Sequence, residues 1–154
     1  MYKEIQKDLE LFLKEREWDE YHCMKNLVMA LSCECAELLE CFTVKEHTDN
    51  LGEVKEEIGD CFISLFSIYR NVNFDMHAHL PRDESVEEYG FNQIKQEYRS
   101  NLDVDFLVKL LMMRTGFLLE PYIWVDELNV DLPSKTLVQP FYILLALCHL
   151  LKIS

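Results

Sequence analysis

The sequence predicts an all-α protein, a helical bundle of the kind that buries one apolar stripe per helix. Apolar residues recur at intervals of three and four residues through most of the chain, which is the period of an α-helix. Only four glycines and four prolines are present, which leaves little of the turn chemistry that many short strands would need. Hydrophobic residues make up 49% of the 154 residues, enough for the core of one ordinary domain.

The first half of the chain is predicted to contain three helices. The first runs from about Lys3 to Glu17 and leads through a polar, aromatic connector to the second, over Lys25–Glu40. A loop over Thr43–Gly52, with Asn50 and Gly52 as helix breakers, separates these from a third helix over Glu53–Val72. None of the three carries a proline.

The second half is predicted to hold an irregular segment and three more helices. Residues 73–84 form the longest irregular piece. Ser85 and Glu88 have the spacing of a capping box and begin a helix that extends to about residue 101. Either Asp103 or Asp105 can cap the next helix. That helix is predicted to end near Glu120-Pro121. The last helix is predicted to begin at Ser134.

Charge and cysteine usage exclude several classes of protein. The net charge of −13 argues against binding a nucleic-acid polymer or an anionic membrane surface, since both require a basic face. Residues 1–10 are charged and amphipathic, so no signal peptide is expected, and the longest apolar run, residues 137–151, is short and interrupted for a membrane span. None of the six cysteines forms a CxxC pair, so core positions in a cytoplasmic protein are expected.

Two carboxylates in the second helix are placed unusually. On a helical wheel Glu34 and Glu37 fall among the apolar residues Leu27, Leu31 and Leu38 and not on the opposite face. An ionised acid inside an apolar stripe is costly unless it has a partner. The sequence around them therefore predicts a bound cation.

The third helix supplies further acids just before an apolar run. Glu53, Glu56, Glu57 and Asp60 cluster on one side of it. Four to six carboxylates directed at one space can coexist if a cation lies between them, and hard oxygen ligands favour Mg²⁺. The candidate ligands are therefore these four acids together with Glu34 and Glu37.

The order of these motifs resembles a known family. The chain is similar to the all-α nucleoside triphosphate pyrophosphohydrolases, and within them to the MazG-like and dCTP pyrophosphatase branch, over roughly residues 5–75. The matching motifs are Glu15-Arg16-Glu17-Trp18, Tyr21-His22, Lys25-Asn26-Leu27, Glu34-x-x-Glu37 and Glu57-x-x-Asp60. The resemblance implies Mg²⁺-dependent hydrolysis of a nucleoside triphosphate to the monophosphate and pyrophosphate, with a pyrimidine nucleotide as one candidate substrate. It also implies that the metal ligands are Glu34, Glu37, Glu57 and Asp60.

Each expected site residue then has a role. Attack on the α-phosphorus needs a water whose proton either Glu34 or Glu37 can accept. The substrate-binding residues expected are Trp18 for the base and, for the phosphates and nearby groups, Lys25, Asn26, Arg16 and Lys55. The alternative is a non-catalytic nucleotide-binding or helical interaction module with the same fold. The oligomeric state, monomer or homo-oligomer, stays open.

A self-similarity suggests how the two halves are related. Shifted by 80 residues, the second helix aligns with residues 107–120 and the third with residues 135–145. The acids are replaced in the second copy by Arg114, Phe117, Leu137 and Pro140. The hypothesis is a tandem pseudo-repeat in which residues 1–75 form the catalytic half and 85–154 a degenerate half packed on it in a single compact domain. Arg114 is expected to face Glu34 or Glu37 or a phosphate.

Overall fold

The structure, a computed structural model, describes residues 7–8, 11–12, 14–15, 23–43, 50–82, 84–99, 101–124, 130 and 132–153. All regular elements in these ranges are helical, which confirms the all-α class. They are α1 (Met24–Thr43), α2 (Leu51–Asn71), a 3₁₀ turn (Met76–His79), α3 (Val86–Tyr98), α4 (Val104–Trp124) and α5 (Ser134–Leu151). The predicted opening helix, residues 3–17, lies mostly outside the described residues; those described within it are helical.

Among the described helices, α5 packs against the largest number of partners. α1 packs against α2 and α4, whereas α5 packs against α3 and α4 and less extensively against α2. Every residue of α5 from Leu137 to Cys148 is buried, because helices cover it on several sides. An apolar residue on any face of α5 therefore finds an apolar partner, which explains why this segment lacks the alternation of a surface helix.

An aromatic cluster joins α2 to α5. The ring of Phe141 makes edge contacts with the rings of Phe62 and Phe66, at centroid distances of 5.4 and 5.9 Å. Tyr69 is fully buried beside them, and its hydroxyl donates a hydrogen bond of 2.8 Å to the carbonyl oxygen of Leu137. That bond satisfies a phenol that would otherwise be costly to bury.

The close approach of α3 to α5 depends on Gly90. A Cβ atom at this position would lie 2.5 Å from the Cβ of Leu145 and 3.1 Å from the carbonyl oxygen of Tyr142. Only a residue without a side chain fits there, so the glycine sets the distance between the two helices.

The predicted helix caps are confirmed, and the structure decides between the two candidates for α4. Ser85 Oγ accepts a hydrogen bond from the backbone N–H of Glu88 at 3.3 Å. Asp103 Oδ1 accepts one from the N–H of Phe106 at 2.8 Å, while Asp105 lies inside the helix. Both caps satisfy N–H groups that have no partner within their helix.

The predicted start of α2 and the predicted end of α3 are each wrong by a few residues. α2 begins at Leu51, so Gly52 lies in its first turn; residues 44–49 of the predicted loop lie outside the described residues. A glycine in the first turn weakens a helix by no more than about 1 kcal/mol, which tertiary packing offsets. α3 ends at Tyr98 and not near residue 101, because Arg99 has a φ of 47° in the left-handed region, where a helix cannot continue.

The proline predicted to end α4 does not end it. α4 continues through Pro121 to Trp124. Proline so close to the end of a helix removes one backbone hydrogen bond, and only the last turn bears that loss. The segment predicted to be irregular, residues 73–84, contains the 3₁₀ turn, capped by Asp75 through a 3.0 Å bond from the N–H of His77.

Among the described helices, α5 alone is long and apolar enough to cross a membrane, with a mean hydropathy of 1.3 over 18 residues. Length and composition are weak evidence, since the core helix of a soluble protein passes the same test, and 67% of this window is buried inside the structure. The expected absence of a membrane partner stays a prediction.

Candidate metal centre

The four predicted acids lie at the edge of the interface between α1 and α2. In α1 the buried stripe is formed by Leu27, Leu31, Cys35 and Leu38, and Glu34 is half-buried beside it. Glu37 is exposed, so only one of the two α1 carboxylates is partly withdrawn from water. The prediction that both lie within the apolar stripe therefore overstates their burial: Glu34 is partly buried at the edge of the stripe, and Glu37 is exposed beside it.

The other two acids come from α2. Glu57 is half-buried and Asp60 is exposed, next to the buried residues Ile58 and Cys61. Because α1 and α2 pack along their apolar faces, acids that flank those faces on the two helices are brought together. Packing of the two helices, and not proximity in the sequence, assembles the cluster.

Three of the four acids come close enough to share an ion. Carboxylate oxygens of Glu34, Glu37 and Glu57 all lie within 4.8 Å of one another. Opposite ligands of an octahedral Mg²⁺ are about 4 Å apart, so small side-chain movements would let one ion contact all three. Within the described part of the chain, Asp60 is not a member of this group.

Electrostatics nevertheless tie Asp60 to the cluster. Partial burial raises the pKa of Glu34, and the charges of Glu37, Asp60 and Glu57 raise it further. The pKa of Glu57 is raised by its burial and then by the charges of Glu37 and Asp60. The charges of Glu37 and Asp60 therefore act on both half-buried acids, and Asp60 is placed to contribute charge or to hold an outer water of a bound ion.

One oxygen of the cluster has no hydrogen-bonding partner among the residues that the structure describes. Glu57 Oε2 is buried and unpaired, as is Asn50 Nδ2 at the start of the same helix. A buried carboxylate oxygen without a donor is costly, because it has lost its water and gained nothing in return. A cation at this point would satisfy it, so the residues present fit a metal ion.

An open cleft of about 300 Å³ gives access to the cluster, lined by Glu37, Glu40, Cys41, Glu53 and Glu57. Its lining is acidic, which suits a cation and repels a free anion. Glu40 is not among the predicted ligands, and its spacing of three residues from Glu37 is the signal that could have placed it in the cleft.

The predicted phosphate-binding residues are only partly accounted for. Arg16 and Trp18 lie outside the described residues. Lys25 and Asn26 are exposed in the first turn of α1, nine and eight residues before Glu34 and so at least ~12 Å along the helix axis.

Lys55 is likewise exposed on α2, two residues before Glu57 and so about 200° around the helix. Neither Lys55 nor Lys25 is among the residues that line the cleft.

A second polar cluster joins α3, α4 and α5. In it one carboxylate lies between two cations, whereas the candidate metal centre brings several carboxylates together. A single carboxylate, Glu97, is 3.3 Å from Nη2 of Arg114 and 3.1 Å from Nζ of Lys135. Gln139 donates a hydrogen bond to its other oxygen, and Arg114 Nε donates to the hydroxyl of Tyr98 at 3.1 Å. Although burial of Glu97 acts to raise its pKa, these donors and cations lower it overall.

This cluster corrects the expected partner of Arg114. The guanidinium group pairs with Glu97 and not with Glu34 or Glu37, and it lies 5.7 Å from the ring centroid of Phe117. Because the guanidinium group is already stabilised by a carboxylate and an aromatic ring, it would gain little from approaching the acid cluster.

Comparisons with known proteins add no assignment: no family model, no curated protein and no solved structure matches this chain.

Proposed function

We propose that this chain is a Mg²⁺-dependent nucleoside triphosphate pyrophosphohydrolase, which splits a nucleotide into its monophosphate and pyrophosphate. The observation that supports it most is the group of three carboxylates, from two helices, with oxygens within 4.8 Å of one another. Glu34, Glu37 and Glu57 would hold the ion, with Asp60 beside them. Bound Mg²⁺ would neutralise phosphate charge and polarise the bond to be broken.

The side chains of α1 are placed to handle the proton of the attacking water. A carboxylate accepts a proton more readily as its pKa rises towards neutrality, and the pKa of Glu34 is raised by burial and by its acidic neighbours. Glu37, exposed at the mouth of the cleft, can exchange that proton with solvent. Glu34 is accordingly the better candidate for the base, with Glu37 the alternative.

The acidic lining also determines the form of the substrate. A free triphosphate would be repelled by Glu37, Glu40, Glu53 and Glu57, which line the cleft. The nucleotide must therefore enter with its charge already reduced by bound Mg²⁺. We propose that the nucleobase of the substrate is recognised outside this acidic surface. Trp18 is the candidate residue for that contact.

A panel of ribo- and deoxyribonucleoside triphosphates, incubated with the protein and Mg²⁺ and assayed for pyrophosphate, tests the proposal. Turnover of at least one nucleotide is expected, and it should be lost with EDTA and in Glu57→Gln. Nucleotide binding without turnover would favour the non-catalytic module. Absence of any Mg²⁺ effect on binding, turnover or stability would refute both.

As the finer description of the fold, we propose a MazG-like bundle built as a tandem pseudo-repeat. α1 begins at Met24 and α4 at Val104, and α2 ends at Asn71 and α5 at Leu151; both intervals are 80 residues. Buried positions follow the same offset, with Leu27, Val28, Leu31, Cys35 and Leu38 in α1 matched by Leu107, Val108, Leu111, Thr115 and Leu118 in α4.

A direct contact between two such counterparts supports the repeat. Cys35 Sγ lies 3.4 Å from Thr115 Oγ1, and the two residues are 80 positions apart. When two halves are related by a two-fold axis, residues that touch their own counterparts lie beside that axis. The α1–α4 contact would thus be the pseudo-symmetric interface between the halves 1–75 and 85–154.

The repeat implies one metal site per chain. The counterpart of Glu34 is Arg114, which is neutralised by Glu97. Calorimetric titration should therefore give one Mg²⁺ per chain, and superposition of α1–α2 on α4–α5 should be a rotation close to 180°. Two equivalent ions per chain, or a rotation far from a two-fold, would contradict the proposal.

A further inference from the structure

Two cysteines meet directly behind the carboxylate cluster. Cys35 of α1 and Cys61 of α2 are both fully buried, and their sulfur atoms are 3.9 Å apart. Each is adjacent in sequence to an acid of the candidate site, Glu34 or Asp60. The exposed Cys33 points away from this pair, as the helical period requires.

The sulfur atoms are in contact but not bonded. A disulfide needs about 2 Å between them, so they would have to approach by roughly another 2 Å. Cys35 also contacts the hydroxyl of Thr115 at 3.4 Å and would have to give up that contact to approach Cys61. The pair lies within a single chain, and all six cysteines of the protein are free thiols.

We propose that Cys35 and Cys61 are a redox modification site, which a peroxide-class oxidant converts to a disulfide between α1 and α2. A disulfide in a reducing compartment is a transient, regulatory bond, whereas two isolated core thiols would stay inert. Burial slows the reaction and makes it depend on local opening of the α1–α2 interface.

The chemistry balances with one peroxide per disulfide. The sulfur of Cys35 attacks one peroxide oxygen, the O–O bond breaks, and the thiol proton leaves with the other oxygen as water. Cys35 then carries a sulfenic acid. The sulfur of Cys61 attacks that sulfur, the S–O bond breaks, and the hydroxyl leaves as a second water with the proton of Cys61. Two thiols are oxidised and one peroxide is reduced.

The consequence for the metal centre rests on the proposed function. The new bond changes the spacing of the two helices one residue away from Glu34 and from Asp60. A carboxylate group arranged to share one ion tolerates little displacement, and changes just outside a metal's ligands typically weaken binding by about tenfold or more. The disulfide is therefore expected to lower the affinity for Mg²⁺.

Peptide mapping of the folded full-length protein tests the bond itself. Trypsin cuts after Lys45 and Lys55, so the two cysteines fall in separate peptides that only a disulfide can hold together. After treatment with hydrogen peroxide and alkylation, the linked peptides are expected in the wild type and in Cys33→Ser. In Cys33→Ser, the treatment should lower the number of free thiols by two. They should be absent from Cys35→Ala and Cys61→Ala, and dithiothreitol should reverse the link in the wild type.

Two results would overturn the site. One is a Cys61 peptide that stays fully alkylated at a peroxide dose that oxidises Cys33. The other is a link that forms only when urea is present. Both measurements are made on the wild type, so neither depends on whether a variant folds.

A second arm separates this proposal from the proposed function. The Mg²⁺ concentration that gives half of the rise in Tm should increase about tenfold on oxidation and return on reduction. An unchanged Mg²⁺ response in disulfide-bonded protein would overturn the coupling to the metal. Reduced protein that shows no Mg²⁺ response at all would instead refute the metal centre, whatever the peptide map shows.

Discussion

Replacing Glu57 with glutamine should make the protein more stable without Mg²⁺ and less stable with it. Glu57 is chosen because its Oε2 is buried without a hydrogen-bonding partner among the described residues, and because one of its carboxylate oxygens lies within 4.8 Å of oxygens of Glu34 and Glu37. The amide keeps the size of the side chain, removes the charge, and offers donors to the neighbouring carboxylates.

The size of the effect follows from the spacing. Two unit charges 4.8 Å apart repel by about 0.9 kcal/mol at the dielectric constant of water, which is a lower limit for a partly buried site. Glu57 has two such neighbours, so its neutralisation should stabilise the metal-free protein by about 2 kcal/mol. For a chain of this size that corresponds to a rise in Tm of about 3–7 °C.

Mg²⁺ should reverse the order of the two proteins. At a concentration of one hundred times Kd, an ion that binds only the folded state stabilises it by about 2.7 kcal/mol, or roughly 5–11 °C in Tm. The wild type should gain this increment, whereas Glu57→Gln should gain little, because an amide is a weaker ligand than a carboxylate.

Thermal unfolding in low-salt buffer, with EDTA or with a Mg²⁺ series, measures both effects. Glu56→Gln is the matched control, since it changes the net charge equally on the same helix from an exposed position. It should show only a small rise in Tm and should keep the Mg²⁺ response. If Glu57→Gln lowers Tm in EDTA, or keeps the full Mg²⁺ response, the inference that Glu57 belongs to a metal centre is wrong.

Three further predictions test the fold and the site. Gly90→Ala should destabilise the protein by about 1–3 kcal/mol in a denaturant titration, because the new Cβ meets Leu145, whereas Gly59→Ala, with open space at its Cβ, should be neutral or stabilising by up to about 1 kcal/mol. Equal effects of both would contradict the close α3–α5 contact. Glu97→Gln should lower Tm at pH 7 by the equivalent of about 1 kcal/mol; since the pKa of Glu97 is lowered in the folded state, the difference should vanish as the pH falls through that pKa, and a pH-independent difference would count against the ion pairs. Trp18→Ala should weaken binding of a nucleoside triphosphate more than binding of pyrophosphate, as measured calorimetrically; an equal loss for both, or simple unfolding, would remove Trp18 from base binding.

The sequence alone was enough to predict the helices, because the features that form and end a helix are local. The period of three and four residues, the Ser85 and Asp103 caps, and the scarcity of glycine and proline act within one or two turns. For the same reason the sequence identified acids flanking the apolar stripes of two successive helices. The local rule failed at Pro121, which lies so near the end of α4 that only the last turn bears the lost hydrogen bond.

Only the tertiary structure decided which of these side chains meet. It brings Glu34, Glu37 and Glu57 together, leaves Asp60 at the margin of the cluster, and gives Arg114 a partner, Glu97, from a different helix. Helical periodicity fixes the face on which a residue lies, but the rotation of one helix against another depends on how their side chains interlock. Contacts between helices, which determine both the carboxylate group and the Cys35–Cys61 pair, are therefore set by packing that no local pattern contains.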